Sequence, residues 1–195
     1  MYKSKKCIVT FLVTTSLLMV SGCSNNPSSK SNHSMAHGIK HGKLSVSAIP
    51  KSTHIHIHPF STNQINFDSD TARTMAKSAP HLLATDIVYT LRNAGFTNVT
   101  LDETKGGAAE KSMSLVGSFT KLNPGSQNLR LWIGFGAGES EVCVEGKLKD
   151  TQGKVVGTLS HCENGIGWGG SKAQIEVEAR TMGEKIGAFV SGIAK

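Results

Sequence analysis

From Thr53 to Pro59 the chain reads Thr-His-Ile-His-Ile-His-Pro, polar and apolar in strict alternation. That is the period of a strand with one buried face, ended or edged by Pro59. A polar connection over residues 60–70 follows. From about Thr71 to Ala94 the period becomes helical: Leu83, Ile87 and Leu91 stand four apart, with Ala84 and Val88 beside them, a stripe suited to one helix face. Pro80 is expected to break or begin a segment there, and Gly95 stands where a C-terminal cap belongs. Asn98 to Leu101 predicts a short strand, and Lys105-Gly106-Gly107-Ala108 a loop. Met113 to Leu122 and Leu129 to Phe135 are two further strands joined by Asn123-Pro124-Gly125-Ser126, whose Pro-Gly pair supplies preset and permissive dihedrals for a turn. Glu141 to Lys149 and Val155 to Cys162 make a hairpin around Asp150-Thr151-Gln152-Gly153-Lys154. A final amphipathic helix runs from about Lys172 to Ala194, with Ile175, Ala179, Met182, Ile186, Phe189, Val190 and Ile193 as its stripe. The order β-α-β-β-β-β-β-α predicts an α+β fold: a single, mostly antiparallel sheet of about six strands with two helices packed on it. Neither helix is stable alone in water, so both must be packed.

Ahead of this domain, at residues 52–195, the pattern has a different meaning. Lys3, Lys5 and Lys6 precede an apolar run from Cys7 to Val20, and Ser21-Gly22-Cys23 follows, the charged, apolar and small-residue order of a secretory signal. The run is interrupted by Thr10, Thr14, Thr15 and Ser16 and falls short of the roughly 20 apolar residues of a spanning helix. Val20-Ser21-Gly22-Cys23 resembles the lipobox of bacterial lipoproteins, in which an aliphatic residue and two small ones precede the cysteine that receives diacylglycerol. The resemblance implies a signal peptide at 1–22, lipidation of Cys23, and attachment to a membrane through acyl chains whose buried methylenes each contribute about 0.8 kcal/mol. Residues 23–51 then form a polar, histidine-containing tether. Ser24, rather than Asp, follows the cysteine. In a two-membraned host that resembles default sorting to the outer membrane, lipid-anchored and facing the periplasm; the expected location is the cell envelope.

Charge changes the picture little. Of 21 basic residues, three lysines leave with the signal, so 18 face 14 acids and the mature chain is only about +4. The basic residues are scattered rather than gathered on one face with aromatics between them, which argues against a nucleic-acid partner. Weak attraction to anionic lipid or glycan is the most that such a surface implies.

At Leu129 to Asp150 the chain reads LRLWIGFGAGESEVCVEGKLKD. Arg130 before an apolar strand, the Gly134-Phe135-Gly136-Ala137-Gly138 run, and an alternating strand ending in Lys149-Asp150 with Gly153 three residues on resemble the bacterial lipoproteins of domain-of-unknown-function family 4410. The Leu115-Val116-Gly117 strand and the opening strand ending at Pro59-Phe60 fit as well, so the resemblance spans most of residues 53–194. It implies a fold and a location in the envelope, and no reaction.

Few residues offer enzymatic chemistry. Gly134, Gly136 and Gly138 lead into a strand, so no helix N-terminus is there to receive a phosphate. Gly165, Gly167 and Gly170 spell Gly-x-Gly-x-x-Gly between a strand and a helix, but no returning parallel strand or ribose-binding acid follows; a glycine-rich connection with Ser171 capping the helix is the better account. Outside the N-terminal cluster the histidines are His81 and His161, and there is no Gly-x-Ser-x-Gly elbow. Ser160 and His161 are adjacent on a strand and point to opposite faces, which keeps hydroxyl and imidazole apart. No enzyme is expected. The reading is a non-enzymatic binding or assembly module with an envelope protein or glycan partner, and Trp168 and Phe135, set among glycines, are the candidate contact residues.

Histidine supplies the alternative. His33, His37 and His41 recur every four residues, and His54, His56 and His58 share one strand face. Imidazole suits copper, nickel and zinc, so a transition metal is the one cofactor the sequence raises. Alternate strand positions lie nearly 7 Å apart, however, and three such neighbours close around one ion only if the strand bends.

Once Cys7 leaves with the signal and Cys23 is acylated, Cys143 and Cys162 remain, and in an exported domain such a pair is expected to be bonded. The hairpin supplies the geometry. If Asp150 pairs with Val155, stepping back along both strands sets Leu148 opposite Gly157, Lys147 opposite Thr158, Gly146 opposite Leu159, Glu145 opposite Ser160 and Cys143 opposite Cys162. Polar then faces polar on one side and apolar faces small or apolar on the other. Opposed Cβ atoms are closest at a non-hydrogen-bonded pair, so the disulfide is expected at one, contributing about 3 kcal/mol in the chain-entropy model.

Overall fold

The computed structural model of the protein describes residues 38–67, 69–103, 112–126, 138–165 and 172–192. In chain order these hold β1 (His41–Leu44), β2 (Ile55–Ile57), α1 (Asp70–Asn93), β3 (Val99–Leu101), β4 (Met113–Asn123), β5 (Ser140–Lys149), β6 (Val155–Gly165) and α2 (Lys172–Ser191). The strands make one six-stranded sheet in the order β1-β6-β5-β4-β2-β3. β1, β6, β5 and β4 pair antiparallel, whereas β2 lies parallel to both β3 and β4. The sheet is therefore mixed within an α+β fold, and α1 is the crossover that two parallel strands require.

Alternation assigns the faces. Ile55, Ile57, Met113, Leu115, Phe119, Val144, Leu148 and Leu159 are buried in one core with Ala79, Leu83, Ile87 and Leu91 of α1 and Ile175, Ala179, Met182 and Ile186 of α2. Both helices lie on this face. They run in the same direction, since Ser78 meets Glu176 and Asp86 meets Arg180, and Gly183 and Gly187 of α2 press against α1. A Cβ on Gly183 would stand 2.5 Å from the Leu83 carbonyl oxygen, and one on Gly187 would stand 2.6 Å from Thr90 Cβ.

The C-terminal end of α1 is built as the sequence anticipates, at Gly95, and the structure adds the N-terminal cap. Ser69 Oγ accepts the Ala72 N–H at 3.2 Å, an N-cap. Gly95 has φ +94°, and the Phe96 N–H to Leu91 carbonyl and Gly95 N–H to Arg92 carbonyl bonds form a Schellman close. Pro80 contradicts the expectation of a break: it lies inside a continuous 24-residue helix. Pro80 is half-exposed while Ala79, Leu83 and Ala84 of the same helix are buried in the core, and the burial of that stripe outweighs one missing backbone bond.

The hairpin register is as derived in its body, from Leu148↔Gly157 to Cys143↔Cys162. Its closing end is corrected. Lys149, not Asp150, opposes Val155, with a bulge beside it, because Asp150 serves the turn instead: its Oδ1 accepts the N–H groups of Gln152 and Lys154, each at 2.9 Å. A second correction concerns the start of the domain. Residues assigned to the tether contribute β1, paired with β6, and Ile39 and Ile49 are buried in the core. The expected strand Leu129–Phe135, the loop at Lys105–Ala108 and the Ser171 cap lie outside the described residues.

Candidate functional site

The face opposite the helices carries the residues that alternate with the core: His54, His56 and His58 around β2, Ser114, Val116 and Ser118 on β4, Glu145 and Lys147 on β5, Thr158 and Ser160 on β6, His41 and Lys43 on β1. Among the described residues no helix covers it, and Glu145, Lys147, Thr158 and Lys43 are exposed. A shallow depression of about 710 Å³ crosses four strands there, from Lys40, His41 and Lys43 past Ser160, Thr158 and Lys147 to Val116 and Ser118, with Gln64 at its rim. Lysines, hydroxyls, His41, Gln64 and a single carboxylate, Glu145, are among the groups that line it.

At one end of this face lies the Cys143–Cys162 disulfide, its Cα atoms 4.1 Å apart, the close approach of a non-hydrogen-bonded antiparallel pair. The sequence-derived pairing is thus present at the expected kind of position. A bulge between Phe119 and Lys121 brings Lys121 opposite Cys143, and Lys121 Nζ lies 2.5 Å from Glu141 Oε2.

At the other end stand the histidines. The rings of His54 and His56 stack with centroids 4.5 Å apart. His56 Nδ1 is 3.2 Å from Thr100 Oγ1 and 3.7 Å from Asp102 Oδ2, and its Nε2 is buried with no hydrogen-bond partner. Burial holds the His56 pKa below the usual histidine value, with His54 and His58 acting in the same direction and Asp102 against them. The stack joins two of the three strand histidines, yet among the described residues the only three metal-capable groups whose ligand atoms gather within 4.8 Å are Glu141, Cys143 and Cys162. His41 is separate, exposed on β1 and paired with Ser160. Cys23, His33, His37, Phe135 and Trp168 lie outside the described residues.

One polar cluster escaped the sequence reading. His161 is buried on the helix side of β6; its Nδ1 accepts the Lys40 N–H at 3.0 Å, so the neutral ring carries its proton on Nε2 and donates to Glu163 Oε1 at 2.6 Å. Lys185 of α2 pairs with the same carboxylate. This cluster ties the start of the domain, β6 and α2 together. The available signal was the spacing: His161 and Glu163 follow Leu159 at alternate positions, so two polar residues had to point inward. His161 and Ser160 do face opposite sides, as expected.

Comparison with known proteins places the fold. The fold is similar to that of PelC from Paraburkholderia phytofirmans, solved as a dodecamer: the likeness covers 80% of this chain and 99% of that one, at 17% identity and a TM-score of 0.51. A single-site variant of the same PelC dodecamer matches over 80% and 98%, at 16% identity and a TM-score of 0.52. At such identity the likeness is one of fold. No curated protein matches the chain. The family described as "Domain of unknown function (DUF4410)" matches residues 55–165, from the start of β2 to the end of β6, and the chain belongs to that family.

Proposed function

We propose that the protein is a bacterial envelope lipoprotein, anchored through lipid on Cys23, whose domain is a non-enzymatic module for binding or assembly. The observation that carries this reading is the order of the N-terminus: three lysines, an apolar run too short to span a bilayer, then Val20-Ser21-Gly22-Cys23. The open face supports it further, since it offers hydroxyls, cations and sheet edges for contact. PelC, with the same fold, is a dodecamer, which favours assembly in several copies over action as a lone subunit.

Crosslinking in cells, extraction in mild detergent and native mass spectrometry test the reading. The expected result is an assembly, either of identical subunits or with an envelope protein or glycan partner. A lipid-free monomer that captures no partner and turns over a small molecule would overturn it.

The stacked His54 and His56, with the buried and unpartnered Nε2 of His56, favour a second reading: copper, nickel or zinc binding through His54, His56 and His58. A neutral imidazole is the form that ligates. His54 or His58 would have to turn toward His56 Nε2 to complete such a site. Calorimetry with each ion on the delipidated mature chain decides this; affinity unchanged after replacing the three histidines by Ala dismisses it.

A further inference from the structure

Glu141, Cys143 and Cys162 bring their three ligand atoms within 4.8 Å of one another, for reasons that can be traced along the strands. Cys143 and Cys162 are directly opposed, and Glu141, two residues before Cys143, shares its face of β5. Lys121 occupies one carboxylate oxygen, Oε2. The other, Oε1, lies 3.4 Å from Cys143 Sγ. In the disulfide form neither sulfur is a thiolate.

We propose that reduction of the Cys143–Cys162 disulfide opens a site for one thiophilic divalent cation of the zinc class, held by the two cysteine sulfurs and Glu141. A dithiol reductant supplies two electrons and two protons. Its own S–H pair becomes a disulfide, the Cys143–Cys162 bond breaks, and both cysteines become thiols. Cation binding then releases the two thiol protons to solvent, two metal–thiolate bonds form, and Glu141 Oε1 completes three protein ligands.

The sheet keeps the donors together after the bond is broken. β5 and β6 pair continuously from Ser140↔Gly165 to Lys149↔Val155, so the cysteines stay opposed without their crosslink. Zinc–sulfur bonds of about 2.3 Å at a tetrahedral angle place two sulfurs about 3.8 Å apart, close to the Cβ spacing of about 3.8 Å that a disulfide requires. The backbone that fits the disulfide therefore also fits the ion. Cys143 is buried, whereas Cys162 and Glu141 are half-buried on the uncovered face. Reductant and cation have access there, and the fourth position is left to water, the arrangement of an open rather than a closed site. Disulfide and cation exclude each other, so the site is gated by the redox state of the cysteines.

Cobalt(II) titration of the mature chain, before and after treatment with a water-soluble phosphine, tests the proposal. The reduced chain is expected to retain its circular-dichroism spectrum, to bind one cobalt with intense thiolate-to-metal charge transfer, and to release it to zinc; the oxidised chain is expected to show no such band. Replacing both cysteines by Ser removes the band, and Glu141→Gln weakens binding by about tenfold or more while keeping it, since even outer-shell partners of a metal matter on that scale. The proposal is overturned by a reduced, folded chain that shows no charge transfer, by loss of the sheet on reduction, by uptake with charge transfer in the oxidised chain, or by Glu141→Gln binding as tightly as the parent.

Discussion

The two faces of one sheet divide the work of this molecule. On the helix side, residues of β2, β4, β5 and β6 meet two parallel helices, and Phe60, Phe119, Leu115 and Ile175 are entirely or almost entirely removed from solvent. On the other side β5 and β6 present Glu145, Lys147, Thr158 and Ser160 to water, and β1 adds Lys43. Identical backbone ladders support both. The difference lies in every second residue, and it teaches that stability and contact chemistry are assigned by the pleat. The exception is the disulfide, a covalent contribution to stability placed on the polar face.

Truncation on the covered face is expected to cost most. Phe60 is buried between Gly117 and Gly146, whose missing side chains make room for its ring, and Phe60→Ala is expected to lose about 3–5 kcal/mol in denaturant unfolding. Removing the disulfide by replacing both cysteines with Ser should lose about 3 kcal/mol while leaving a folded chain. A loss clearly larger than that of Phe60→Ala would break the division of labour, because the polar face would then carry more stability than the core. Gly187→Val drives a branched side chain against Thr90 and is expected to cost about 1–3 kcal/mol in the same measurement; a neutral result would mean that the helices can separate.

Acidification sharpens the comparison at His56. Its pKa is lowered in the fold, so the unfolded chain binds the proton more readily. Stability is therefore complete above the unfolded value of about 6.5 and is lost as pH falls through it toward the lowered folded value. His56→Gln should flatten this dependence between about pH 7 and 5, and an unchanged slope would place the titration elsewhere. Lys147→Ala, on the exposed face, is expected to shift stability by no more than about 0.5 kcal/mol.

Much of this was legible in the chain. The β5–β6 register could be read because polar and apolar residues alternate on both strands and the Asp150–Lys154 turn fixes their offset; only the closing pair moved, where Asp150 capped the turn. The C-terminal end of α1 was marked by Gly95 and its buried face by the Leu83, Ile87, Leu91 stripe, whereas the Ser69 cap was not picked out. β1 was not legible. His41-Gly42-Lys43-Leu44 carries no clear pattern, and its strandness comes from β6, more than a hundred residues away. The Gly183 and Gly187 contact was equally silent, since a glycine in a helix announces close approach only when the partner backbone is known. Pro80 misled because its local cost is visible in sequence and the packing that offsets it is not. Of the candidate site residues, the disulfide was derived from register, whereas the Lys121–Glu141 pair beside it depends on a bulge in β4 that no pattern in that strand foretells.

The reading of the open face as a contact surface rests on the chain being held at a membrane by its first mature residue. Mass spectrometry of the protein from the membrane fraction tests this most directly. The account predicts an N-terminus at Cys23 carrying the mass of diacylglycerol, with or without a further acyl chain; a water-soluble mature protein without lipid on Cys23 would contradict it.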